Sequence, residues 1–135
     1  MSYALSGPLQ AALYAALRDD AALAALVGEA IYDAPPSGTL PGLYVTLGAE
    51  RVRDASDGEV AGAWHDLTVA VVTDAAGFAS AKAVAAAVSE RLHEAELGLS
   101  RGRLVSLRFR RAEARRESGG IRRIELTFRA RVEDA

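Results

Sequence analysis

Few side chains in this sequence could carry chemistry. Its 135 residues contain two histidines, His65 and His93, and no cysteine. The missing thiols exclude disulfide frameworks, thiol nucleophiles, thiolate zinc sites and iron–sulfur clusters. Two imidazoles far apart in sequence do not make a multi-histidine metal site within one chain. His93 stands beside Glu90 and Glu94, the grouping of a general base oriented by a carboxylate. A solvated histidine on an outward helix face is the simpler reading. Asp19-Asp20 has no further metal ligand at a suitable spacing, and a helix cap accounts for the pair. Asp54, Asp57 and Glu59 in the stretch RDASDGEVAGA faintly follow a calcium loop. They lack its alternating oxygen ligands and terminal glutamate. The sequence contains no G-x-S-x-G, P-loop, G-x-G-x-x-G or H-E-x-x-H motif. It therefore predicts no catalytic residues, no metal site and no cofactor, and the expectation is a protein that is not an enzyme.

The elements that would position such residues follow from patterning. At this length, with 50% hydrophobic and 25% charged residues, the expectation is one domain over residues 1–135 with a single two-layer core. No apolar run is long enough for a membrane-spanning helix. The opening Met1-Ser2-Tyr3-Ala4-Leu5 lacks a basic segment and soon meets Gly7-Pro8, which is unlike a secretory signal. Ser6 is placed to cap a helix bearing Leu9, Leu13, Ala16 and Leu17 on one face. Asp20 caps a second helical piece through Leu23, Leu26 and Val27, and Gly28 ends it. Residues 30–33 form a short extended piece, and the proline- and glycine-rich stretch 34–42 a loop.

Leu43 to Val52 alternates as a strand, residues 53–63 suit a long mobile hairpin loop, and Trp64 to Val72 returns. Asp74 is placed to cap the main helix, residues 75–96, with Phe78, Ala81, Ala85, Val88, Leu92 and Ala95 as its buried stripe. Leu104 to Ala112 then points Val105, Leu107 and Phe109 one way and Ser106, Arg108 and Arg110 the other. After a turn at 115–120, Ile121 to Val132 buries Ile124, Leu126, Phe128, Ala130 and Val132. The order α-β-β-α-β-β predicts an α+β fold: an antiparallel or mixed sheet of about four main strands with its helices on one face. A further short strand near Tyr32 would join it.

The charge distribution is uneven. Residues 1–100 hold 5 Lys+Arg against 13 Asp+Glu, a charge of −8, whereas residues 101–135 hold 11 Arg against 5 Asp+Glu, a charge of +6. Fifteen of the sixteen basic residues are arginine, a bias that a GC-rich genome also produces. The helix-free sheet face carries Arg108, Arg110, Arg123, Arg129 and Arg131. Three readings compete: a solvated face offset by Glu50, Glu113 and Glu125, a phosphate-binding face, or a face that meets the acidic part of a neighbouring copy. The face is read as lacking aromatic residues for base stacking, and the pI near 5.7 counts against a free-standing nucleic-acid binder. The third reading is preferred, and a ring lumen would combine it with the second.

Several segments together resemble the tail terminator, or tail-completion, proteins of long-tailed phages, above all the version in gene transfer agents. They are Met1–Leu5 with the Leu9–Leu17 helix, Asp20–Gly28, Ile31-Tyr32-Asp33-Ala34-Pro35-Pro36, Tyr44–Gly48, Arg53–Gly58, His65–Val69 and the strand Arg123–Val132. The resemblance runs nearly end to end and rests on order and spacing, since none of these motifs is catalytic. It implies a small α+β structural protein of the particle. Such proteins assemble into a ring, commonly of six copies, that caps the tail tube and ends its polymerisation. The ring joins the head-side connector and lets DNA pass through its lumen without sequence-specific binding. It implies production in the cytoplasm followed by incorporation into the particle tail. On that reading Arg108, Arg110, Arg123, Arg129 and Arg131 line the lumen or a subunit interface. The loop with Arg53, Asp54, Asp57 and Glu59 contacts the tube protein or connector. A head–tail connector or tube component would share the size and the ring habit, whereas a small cytosolic binding module would be monomeric with the arginine face solvated.

Overall fold

The computed structural model describes residues 3–134. Three helices lie on one face of a five-stranded mixed sheet: α1 (Ser6–Arg18), α2 (Ala21–Val27) and α3 (Ala79–Leu92). The strands are β1 (Ile31–Tyr32), β2 (Leu43–Asp54), β3 (Ala61–Thr73), β4 (Arg103–Arg116) and β5 (Arg122–Asp134), arranged β1-β2-β3-β5-β4. Only the β1–β2 pair is parallel. The α+β class therefore holds, with the short strand near Tyr32 as the fifth member.

The centre of the sheet follows its sequence pattern without interruption. β3 and β5 pair from Ala61↔Asp134 to Thr73↔Arg122 with no register shift. Alternate residues therefore stay on one side. Val69, Val71, Ile124, Leu126, Phe128 and Ala130 all enter the core under the helices. α3 lies over β3, β4 and β5, while α1 and α2 lean on it and reach β1 and β2. The stripe on α3 is Ala81, Val84, Ala85, Val88 and Leu92, and its alanines let the helix lie close on the strands. A second, small cluster of Ala30, Tyr44 and Val72 sits at the β1 end.

Helix ends depart from expectation in two places. Ser6 does not cap α1: Leu5 occupies that position, and Ser6 is inside the helix and buried. Its hydroxyl instead reaches Glu50, at 2.8 and 2.9 Å to the two carboxylate oxygens. Asp74 does not cap α3 either, because α3 begins four residues later than expected, with Phe78 before it and no side-chain cap. The Asp74 amide is held by the Gly42 carbonyl at 2.9 Å, which continues the strand edge and delays the helix. Asp20 does cap α2, accepting from the Leu23 amide at 3.0 Å. Asp20→Ala is expected to cost about 1 kcal/mol, read as a lowered urea midpoint at unchanged slope.

Strand ends shift as well. The expected long loop at 53–63 contracts to a turn at 55–60, because β2 runs to Asp54 and β3 starts at Ala61. The Ala55 amide donates to the Gly62 carbonyl, and Asp57 and Val60 exchange backbone bonds across the turn. β4 carries two bulges, at 104/106 and 109/111. Each inserts one residue and inverts the facing of the residues after it. Val105 consequently lies exposed rather than inward, whereas Leu107 and Phe109 keep the expected inward facing, with Phe109 only partly covered at the sheet edge. A bulge between Leu47 and Glu50 turns Glu50 toward the core side of β2, opposite Leu67, so it is not one of the outer-face carboxylates.

Gly102 precedes β4 with φ +73°, and a methyl there would lie 2.7 Å from Leu5 and 2.8 Å from the Glu133 carbonyl. The backbone clash cannot be relieved by a rotamer change. Gly102→Ala is expected to lose about 2 kcal/mol, measured by thermal unfolding.

Candidate assembly surface

The face of the sheet away from the helices is the candidate surface. Register puts Arg51 beside Asp66, Asp66 beside Arg129, and Arg129 beside Arg108. One row along, Arg53, Trp64, Arg131 and Ser106 follow each other across the same four strands. Cations from β2, β5 and β4 thus meet on one face, as alternation requires.

The five arginines singled out by sequence take different partners. Arg108 pairs with Glu94 at 3.3 Å, Arg123 with Glu117 at 3.2 Å and Arg129 with Asp66 at 2.9 Å. The Asp66 hydrogen bond and charge hold the Arg129 guanidinium above its ordinary pKa. Arg131 donates to the Ala55 carbonyl at 2.8 Å. It reaches there across Gly62, where any side chain would meet the guanidinium. Arg131 therefore anchors the hairpin turn rather than presenting a free charge. Arg110 sits at the second β4 bulge and makes no ion pair among the described residues.

A trough of about 450 Å³ crosses this face, lined by Arg51, Asp66, Thr68, Arg110, Arg111, Thr127 and Arg129 among others. Arg51, Arg110 and Arg111 have no hydrogen-bond or ion partner among the described residues. Arg51 and Arg111 are not singled out by sequence. Arg111 reaches the outer face only because the bulge inverts the parity of β4. Trp64 also corrects the expectation of a face without aromatics. The guanidinium carbons of Arg129 and Arg131 lie 5.9 and 5.6 Å from its ring, within cation–π range.

Of the four loop candidates, Arg53 and Asp54 belong to β2, and Asp57 and Glu59 lie on the turn. Ser56 donates to Asp54 at 3.0 Å. The Asp57 and Glu59 carboxylates are exposed and have no partner among the described residues.

Both histidines have structural partners. His93 Nδ1 accepts from the Phe109 amide at 3.0 Å, and the Glu94 amide donates to the Leu107 carbonyl at 2.7 Å. These bonds cover the middle of the β4 edge, which would otherwise present open backbone groups. His93 is exposed, as expected, and its ring also covers the β4 edge. His65 is fully buried, with Nδ1 3.2 Å from Glu50 Oε2. Glu50 also accepts from Ser6 and, at 3.1 Å, from Tyr3. Serine, histidine and carboxylate therefore converge, but with the carboxylate as hub. The Ser6 and Tyr3 hydroxyls donate to Glu50, and the His65 ring contacts the carboxylate rather than the serine, so the imidazole does not activate the hydroxyl.

A family model described as tail completion protein gp17 matches residues 11–133. The chain belongs to this family. A chain in the solved structure titled "Virion of native gene transfer agent (GTA) particle" is 64% identical to this tail-completion chain. The match covers 98% of this chain and 99% of that one, with a TM-score of 0.93. No curated protein sequence matches. At that identity the likeness extends beyond the fold to most side chains of this tail-completion protein. The resemblance read from sequence therefore holds at the level of the family and of the gene transfer agent version.

Proposed function

We propose that this chain is a structural protein of a phage-like particle that caps the tail tube as a ring. The ring ends tube polymerisation and joins the tail to the head-side connector, with DNA passing through its lumen. The observation that carries this reading is the 64% identity, over 98% of the chain, to a component of a gene transfer agent virion. Membership of the tail completion family over residues 11–133 supports it.

The surface has the properties a ring subunit needs. A closed ring of identical subunits uses two different patches, one at each side of the subunit. This chain offers a cationic trough at Arg51, Arg110 and Arg111 and an acidic turn at Asp57 and Glu59. Arg108, Arg110, Arg123, Arg129 and Arg131 are proposed to line the lumen or the subunit interface. Arg53, Asp54, Asp57 and Glu59 are proposed to lie where the ring meets a neighbour. Production in the cytoplasm of the host cell precedes incorporation.

The test is solution mass by light scattering after gel filtration, with and without purified tube protein, at low and high salt. The expected result is a closed oligomer of about six copies, weakened by salt. A monomer that ignores tube protein at every concentration would reject the ring.

A further inference from the structure

We infer that the acidic turn of one copy, residues 55–60, docks in the arginine trough of the next. This rests on the ring reading and names the contact that closes it. Most charges in the chain find partners at home: Arg101, Arg103, Arg108, Arg115, Arg123 and Arg129 all pair with carboxylates. Of the cations without an ion or hydrogen-bond partner among the described residues, Arg53 and Arg116 lie outside the trough, but Arg51 from β2 and Arg110 and Arg111 from β4 line it together across β3 and β5. Two carboxylates line it, and both are taken: Asp66 by Arg129, and Glu50 by Ser6, Tyr3 and His65.

Holding like charges together in a concave site raises the local potential, and an anionic occupant relieves it. Guanidinium forks bind carboxylates in pairs of parallel hydrogen bonds. Thr68 and Thr127 add hydroxyls to the floor.

The turn supplies the matching chemistry. Asp57 and Glu59 are unpaired and exposed, and Val60 beside them is an exposed apolar side chain. No cation occurs from residue 55 to residue 60. The turn is also held in one shape, by the Asp57–Val60 backbone pair and by Arg131 on Ala55. A preformed turn loses little freedom on docking. The contact joins unlike patches on successive copies, which propagates around a ring.

The absence of cysteine gives a clean test. Glu59→Cys and Arg111→Cys are combined in one chain, and oxidised assemblies are run without reductant. The expected result is a ladder of covalent oligomers ending at the ring number, with neither single variant passing a dimer. In parallel, Arg110→Glu with Arg111→Glu is expected to weaken assembly about tenfold, and adding Asp57→Arg with Glu59→Arg restores it.

A ring of normal mass with no ladder would overturn the turn-in-trough contact and leave the ring standing. So would a reversed trough that keeps its ring mass but no longer retains short duplex DNA, which would assign the arginines to nucleic acid. A wild-type chain that stays monomeric with tube protein present would overturn the ring and this contact together.

Discussion

Replacing Phe128 with alanine is expected to remove about 3–5 kcal/mol of folding stability. Phe128 is 1% exposed and lies on the strand that pairs with both β3 and β4. It faces Leu67 across β3 and meets the ring of Phe109 edge-on, with centroids 5.8 Å apart. Truncation leaves a cavity between α3 and the strands that neither neighbour can fill, since both are fixed by their own ladders. Against a total of about 5–15 kcal/mol for a domain, the loss is large, and melting should fall by about 10–20 °C. A loss under about 1 kcal/mol would mean that the core collapses around the site, contrary to the packing described.

The second large effect concerns Glu50. Its carboxylate accepts from Ser6, Tyr3 and His65, and its side chain is 17% exposed. Glu50→Ala leaves a fully buried imidazole and a buried hydroxyl without an acceptor. Stranded polar groups of this kind cost about 1–3 kcal/mol each, so about 3 kcal/mol is expected in total. The start of α1 should also loosen, seen as faster amide exchange there but not in β5. Glu50→Gln keeps one oxygen acceptor and should lose less than half as much. Equal losses for the two variants would contradict the account of Glu50 as a hydrogen-bond hub.

β5 is the most legible element, because its residues alternate strictly and pair with β3 without a bulge. Asp20 is legible because a cap is a local interaction. β4 is not: its two bulges invert parity with no compositional mark, which misplaces Val105 and hides Arg111. The bulge in β2 does the same for Glu50. The start of α3 is misleading because Asp74 looks like a cap, while its backbone is held by Gly42, far away in the chain. The trough is only half legible. Charge counting locates Arg110, but bringing Arg51 into the same trough depends on the strand order, which sequence does not encode locally. Trp64 reads as a strand residue whose face is left open, although alternation from Leu67 places it outward.

The identity of the chain is more legible than its surface. Family segments are spread along the whole length, so the resemblance survives errors in any one element. Contacts between copies depend on a few exposed side chains whose positions follow from tertiary structure alone.

A ring cap of the kind proposed above stops growth of the tail tube. The direct measurement is the length distribution of tubes by electron microscopy, assembled from purified tube protein with and without the chain. With the chain present, the expected tubes cease to lengthen and carry a ring-shaped cap at one end. Tubes that lengthen equally with or without it, and bear no cap, would rule out a terminating role.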